Sequence, residues 1–248
     1  MDKRTQQEQR STATGLSTMM HKRLRLRHGV AVGAITIAMS VAFPLSAFAS
    51  PTGSDFGAGY LSEPAGFASA SATFTVPTVS CGSSQTGEEA IGVMLQGGDE
   101  GTVYQQDDAN ALLECNAGTA SYQLRVDAGS AAFTEAGVSP GDTVVASIFQ
   151  TSSVVEATVH DRTSGYTWNA AGSPLSGTGW QWGVWTGAYY WGGGFVAFTS
   201  STFTKCQING DYLTYSTPIQ YNYKIGNKTY IKASPLNSTG DGFKLTWI

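Results

Sequence analysis

Residues 102–115 read TVYQQDDANALLEC, with Gln105 and Gln106 side by side, Asp107 and Asp108 next, and an apolar run after them. An amide neither takes nor gives a proton near neutral pH, but it orients water and polarises a carbonyl. A carboxylate can supply the missing proton chemistry. The glutamines therefore read either as half of a hydrolytic site or as the polar end of a strand. A second chemical feature is GWQWGVWTGAYYWGGG over residues 179–194. On a strand Gln181, Gly183 and Trp185 share one face, and Trp180, Trp182 and Val184 the other. Exposed rings on a sheet stack on sugars or grip peptide side chains, whereas rings turned inward are core. Both readings stay open for this run. His160 is the only histidine after residue 49 and sits beside an expected turn at Asp161 to Gly165, so no Ser-His-Asp or Cys-His mechanism has a histidine to use. No CxxC or Cys/His cluster is present, which argues against a structural or catalytic zinc site.

The elements that must position these residues read as strands. Helical periodicity is almost absent after residue 50, while period-two runs recur between turn signals. In SASATFTVP, Ala72, Phe74 and Val76 fall on one face, with Thr73 and Thr75 on the other. DTVVASIFQ and SVVEATVHD read as neighbouring strands joined through Thr151 to Ser153; FVAFTSSTFT is a further strand, and GFKLTWI closes the domain. Pro77, Pro140 and Pro218 stand at strand ends, where a missing donor does least harm. One antiparallel all-β sandwich is expected.

The first 49 residues are set aside as a signal peptide. Seven Lys/Arg precede the apolar run GVAVGAITIAMSVAF, and Ala47-Phe48-Ala49 fits a small-x-small cleavage site. The run is shorter than the ~20 apolar residues a membrane span needs. Met19 and Met20 compete with Met1 as the start. Cleavage after Ala49 leaves one domain, residues 50–248, with 7 Lys/Arg against 16 Asp/Glu. Such a surface disfavours nucleic acid and anionic membranes, which need a basic footprint. Export also makes a disulfide expected, and with Cys81, Cys115 and Cys206 one thiol is left over.

Four landmarks fall in a recognisable order: SATFTVPTVSC, AIGVMLQGGDEGTVYQQ, VSPGDTV, and WQWGVWTG followed by FVAFTSSTFT. Together they resemble the eqolisins, the glutamic peptidases, and especially the bacterial members. The resemblance implies a β-sandwich of two curved antiparallel sheets with a concanavalin A-like, jelly-roll character. It also implies a secreted monomer that cleaves polypeptide in acid and needs no cofactor or metal. In that family a glutamate activates water as general base and a glutamine positions it. The family's glutamine motif, Val-x-Gln-Thr-Gly, matches Val103-Tyr104-Gln105-Gln106-Asp107, so Gln105 is the match, without the Thr-Gly. The cysteine positions of bacterial members imply a Cys81–Cys115 disulfide with Cys206 free.

The resemblance breaks at the glutamate. Family members read approximately Ala-Glu-Trp-Ile-x-Glu, and this chain has Trp180-Gln181-Trp182-Gly183-Val184-Trp185. Gln181 replaces the first glutamate and Trp185 the catalytic one, and no glutamate follows Glu156. Ala90 stands where the family has a cleft-lining tryptophan, and Arg125 where an aromatic is usual. Asp107, Glu114 and Asp127 are the carboxylates weighed as stand-ins, against the plainer expectation that all three are solvated. Three functional readings follow. The favoured one is a glutamic-peptidase-like protein whose cleft handles polypeptide with its base replaced. A second is a non-catalytic binder of peptide or glycan using Trp185, Gln181, Tyr189 and Tyr190. The third is an active acid endopeptidase with Gln105 and a substitute carboxylate.

Overall fold

A computed structural model describes residues 52–54, 56–62, 69–97, 105–129, 131–175, 183–192 and 195–248. The proposed signal peptide, Gln181, Trp180 and Trp182 lie outside the described residues. The chain is built from strands: β1 (Thr52–Ser54), β2 (Gly57–Ser62), β3 (Ser69–Thr75), β4 (Val79–Ser80), β5 (Gly87–Gly97) and β6 (Gln105–Asn116). Next come β7 (Thr119–Ala128), β8 (Ala131–Ala136), β9 (Thr143–Gln150), β10 (Val155–Asp161), β11 (Thr167–Gly172) and β12 (Gly183–Gly192). The last are β13 (Ala197–Phe198), β14 (Ser200–Ile208), β15 (Asp211–Tyr212), β16 (Ile219–Ile225), β17 (Lys228–Ala233) and β18 (Phe243–Trp247). A single 3-10 turn, Leu213–Ser216, is the one helical piece among the described residues.

The main sheet runs β11-β10-β9-β3-β14-β18-β17-β16-β2-β12-β5-β6-β7-β8, a continuous ladder in which every step is antiparallel. It folds over so that β3, β9, β10 and β11 pack across β5, β6 and β7, giving the two layers of a sandwich. Alternation sets the core, because successive side chains point to opposite faces. Ala70, Ala72 and Phe74 of β3 meet Ile91, Val93 and Leu95 of β5 and Ala109, Ala111 and Leu113 of β6 between the layers. The expected β9–β10 pair is present, with Thr151 N donating to Val154 O in the connection. The run expected as one strand at 195–204 divides: β13 pairs with β4 in a separate two-stranded sheet, and β14 joins the main one.

Glycines set how closely the strands approach. Gly59, Gly187 and Gly92 lie in one cross-strand row, Gly59↔Gly187↔Gly92. A Cβ on Gly187, where φ is 152°, would meet Ala58 O at 2.3 Å, and one on Gly92 would meet Ala109 O at 2.2 Å. Any larger residue in this row would force the backbones apart.

Cys81 and Cys115 form the disulfide that the resemblance implied, at a Cα–Cα distance of 5.6 Å, and Cys206 is a buried free thiol. The bond closes a sequence separation of 34 residues and ties the start of the β4–β5 connection to the end of β6. On the chain-entropy account its removal costs about 4 kcal/mol. Chemical denaturation of Cys81→Ser/Cys115→Ser should show a loss of that order, and an unchanged midpoint would refute a stabilising role for the bond.

Candidate functional site

The candidate residues gather on one face of the β12–β5–β6–β7 layer, the face turned away from the main core. Its register can be read row by row. Gly183, Gln96 and Gln106 form the first row, and Trp185, Met94, Asp108 and Asp127 the second. Gly187, Gly92, Asn110 and Arg125 form the third, and Tyr189, Ala90, Leu112 and Gln123 the fourth. Ala90, which the sequence resemblance set against a tryptophan of the family, belongs to this face.

Aromatic and aliphatic groups fill much of this face. Trp185, Tyr189, Met94, Leu112 and Ala90 make a second buried cluster, separate from the main core, with Phe56, Leu61 and Tyr221 packed on it. Trp185 is 3% exposed and Tyr189 fully buried. Phe56 meets Trp185 edge-on at 5.8 Å and stacks on Tyr189 at 6.1 Å; Tyr221 lies 5.7 Å from Trp185. A Cβ built on Gly57 would sit 3.0 Å from Trp185 Cζ2, so the indole lies over β2 where a glycine makes room. Its Nε1 is buried without a hydrogen-bond partner. The expectation of an exposed platform at Trp185 and Tyr189 is therefore corrected: alternation selects the cleft face for these rings, but Phe56 and Tyr221, distant in sequence, cover them.

Beside the aromatic cluster lies a buried polar one. Asn110 Nδ2 donates to Asp108 Oδ1 at 2.6 Å and to the Tyr189 hydroxyl at 3.0 Å. Arg125 pairs with Asp127 at 2.9 Å. Asp108 Oδ2 and Asn110 Oδ1 are buried with no partner. Burial pushes the Asp108 carboxyl up to about 7; Arg125 opposes this, while Asp127 and Asp107 add to it. Asp107, on the core side, is pushed to about 6, again mainly by burial, although Gly129 N donates to its Oδ1 at 2.6 Å.

The stand-in carboxylates thus part company. The expectation that all three are solvated is corrected at Asp107, which is wholly buried. Glu114 Oε2 accepts from Ser121 and Gln123, and Asp127 is engaged by Arg125. Asp108 is the carboxylate that sequence reasoning missed, although a signal was available. Gln106, Asp108 and Asn110 are polar at alternate positions, with Ala109, Ala111 and Leu113 between and beyond them. Gln105 opens β6 opposite Gly97, and Tyr190 stands opposite Glu89; the side chains of these two lie outside the described ones. Gln106 is half-buried and in register with the half-buried Gln96. Among the described residues no group of three or more His, Cys, Asp or Glu could hold a metal ion.

Chemically, this face combines the amides Gln96, Gln106 and Asn110 with the carboxyls of Asp108 and Asp127 and the buried indole of Trp185. The fold is an antiparallel β-sandwich of the glutamic-peptidase type. The chain belongs to the peptidase A4 family, whose sequence profile matches residues 55–240. Among solved structures it is similar to scytalido-glutamic peptidase, determined with a peptide-based transition-state analogue. The identity is 18%, the alignment covers 79% of this chain and 98% of that one, and the TM-score is 0.59. It is similar too to SCP-B, an eqolisin determined with the tripeptide Ala-Ile-His, at 19% identity with the same coverages and TM-score. No curated protein sequence matches it.

Proposed function

We propose that this chain is a secreted, non-hydrolysing member of the glutamic peptidase family that holds polypeptide against the outer face of the β12–β5–β6 layer. The observation that carries the reading is Trp185. The sequence resemblance aligns it with the family's base, and it lies opposite Met94, packed among Phe56, Tyr189 and Tyr221. An indole takes no proton from water, and this one is held by its neighbours. Export is supported by the basic-apolar-small leader and by the disulfide. Gln96 and Gln106, opposite each other and half-buried, offer donors and acceptors to an extended main chain. Burial of Trp185 and Tyr189 disfavours the glycan alternative, which needs exposed ring faces.

Calorimetric titration with a reduced, alkylated, unfolded protein tests the reading. We expect saturable binding that Gln96→Ala/Gln106→Ala weakens about tenfold, the equivalent of one or two lost hydrogen bonds. Absence of binding from about pH 3 to pH 8 would contradict it, since that range spans the ordinary carboxylate and histidine titrations. One observation favours the alternative of an active acid peptidase. Asp108 lies on the same face as Gln106, two residues along β6, with a carboxyl that exchanges its proton at about 7. Cleavage abolished by Asp108→Asn would select that alternative.

A further inference from the structure

Among the described residues, Glu89 is a buried carboxyl with neither oxygen hydrogen-bonded. It shares the parity of Ile91, Val93 and Leu95 on β5 and so faces the main core. Its row reads Tyr190, Glu89, Leu113, Tyr122, from β12 across to β7. The strands packed over it, β3 and β9, turn only alanine, valine, isoleucine and phenylalanine to that core. The other titratable groups there are Asp107, far along the layer opposite Leu95, Asp161 at the end of β10, the Cys206 thiol, and Tyr60, Tyr122, Tyr223 and Tyr230. Among the described residues no Lys, Arg or His belongs to that core; Arg125 lies on the opposite face of the layer. Burial alone pushes the Glu89 carboxyl well above its ordinary value, with no charge assisting or opposing.

The strand pairing is irregular at the same place. The β12–β5 register shifts between Tyr190 and Gly192, which pair with Glu89 and Glu88, leaving Trp191 as an extra residue in the ladder. Such a bulge interrupts the hydrogen-bonding and marks where a strand parts from its neighbour. The same strand end borders solvent: the preceding residue, Glu88, lines a surface cavity of about 150 Å³ on the opposite face of the layer, together with Thr86, Glu114 and Asn116.

We propose that Glu89 is a proton-operated latch on the β5–β12 junction. Neutral, it lets the end of β12 remain zipped to β5; ionised, it cannot stay between the layers, and the junction opens at the bulge. A buried carboxylate without a counter-charge or donors is far more costly than a buried carboxylic acid. The cheapest release is local opening of the strand end at the bulge rather than global unfolding. The latch is independent of whether the chain binds or cleaves polypeptide. It gives the β12 strand that carries Trp185 and Tyr189 a switch from a closed acid form to an opened neutral or alkaline form.

Amide hydrogen exchange on the full mature chain tests this, with rates corrected for the intrinsic pH dependence. Between about pH 4.5 and about pH 8.5, protection in segments 87–91 and 187–192 of the wild type should fall at least about tenfold further than in β9 and β10, which report the stability change shared by the whole fold. In Glu89→Gln, which keeps the shape and removes the ionisation, the two segments should fall with β9 and β10 to within about twofold. Glu89→Met serves if the glutamine variant does not fold. Wild-type segments that fall no further than β9 and β10 overturn the latch, as does the same extra fall in the variant. Loss confined to the start of β6 also overturns it, since that assigns the opening to Asp107 and Asp108.

Discussion

The folded chain should be more stable in mild acid than at neutral pH, by several kcal/mol. Asp107 and Asp108 titrate in the folded state at about 6 and about 7, against an ordinary value of 3.8. Glu89 is raised as well. A carboxyl with a raised folded pKa binds more protons folded than unfolded in the interval between the two values. Its stabilising contribution is thus complete below the unfolded pKa and is lost as pH rises through the folded one. For the two aspartates that window runs from about 3.8 to about 7. Two or three pKa units per group correspond to about 3–4 kcal/mol each, and mutual coupling makes the sum smaller than the parts. Asp161 and Asp241 act with the opposite sign: hydrogen bonds from Ser164, Thr163, Thr239 and Asn237 hold them below the ordinary value, so their contribution fades in strong acid. The stability maximum belongs in the mildly acidic range. Urea denaturation at about pH 4.5, 6 and 7.5 measures it, and Asp108→Asn should flatten the profile and raise stability at the highest pH. Equal stability across the series would contradict the burial of these carboxyls.

Trp185→Ala should cost about 3–5 kcal/mol, the range for a large aromatic deleted from a core. The size of this effect separates two accounts of the aromatic run. An exposed ligand platform loses little when trimmed, because surface substitutions usually stay within about 0.5 kcal/mol. A ring that meets Phe56, Tyr221 and the backbone of Gly57 leaves a hole those groups cannot all fill. A loss under about 1 kcal/mol by chemical denaturation would show that the cluster is not a core. Phe56→Ala provides a second reading of the same packing from the opposite side.

Much of the fold was legible because β-alternation is a local signal. Ala72, Phe74 and Val76 were expected on one face and are all buried, and the β9–β10 and β10–β11 pairs follow from turns that were visible as short polar runs. The break at Thr199, which sends Ala197–Phe198 to β4, was not legible, because partner choice between distant strands leaves no local mark. The site was half legible. Spacing against the family pattern put Trp185 where the glutamate belongs, but whether that ring is exposed depends on Phe56 and Tyr221, brought there by β2 and β16. Asp107 read as a polar strand end, yet it is enclosed because β6 lies between β5 and β7 and Gly129 caps its carboxylate. Glu89 gave no warning at all: EE before an apolar run looks like a solvated strand entry, and only the overlying layer makes it a buried acid.

The central claim is that the cleft of this family member lacks a usable base because an indole is packed into its place. Digestion of an unfolded protein substrate by purified mature chain, from about pH 3 to about pH 6, tests it most directly. Loss of a general base lowers the rate by on the order of 10²–10⁴. The account predicts no cleavage above background in the wild type, and weak acid-dependent cleavage from whatever fraction of Trp185→Glu folds, since that substitution restores a carboxylate opposite Met94. Efficient cleavage by the wild-type chain, abolished by Asp108→Asn or by Gln105→Ala, would contradict it.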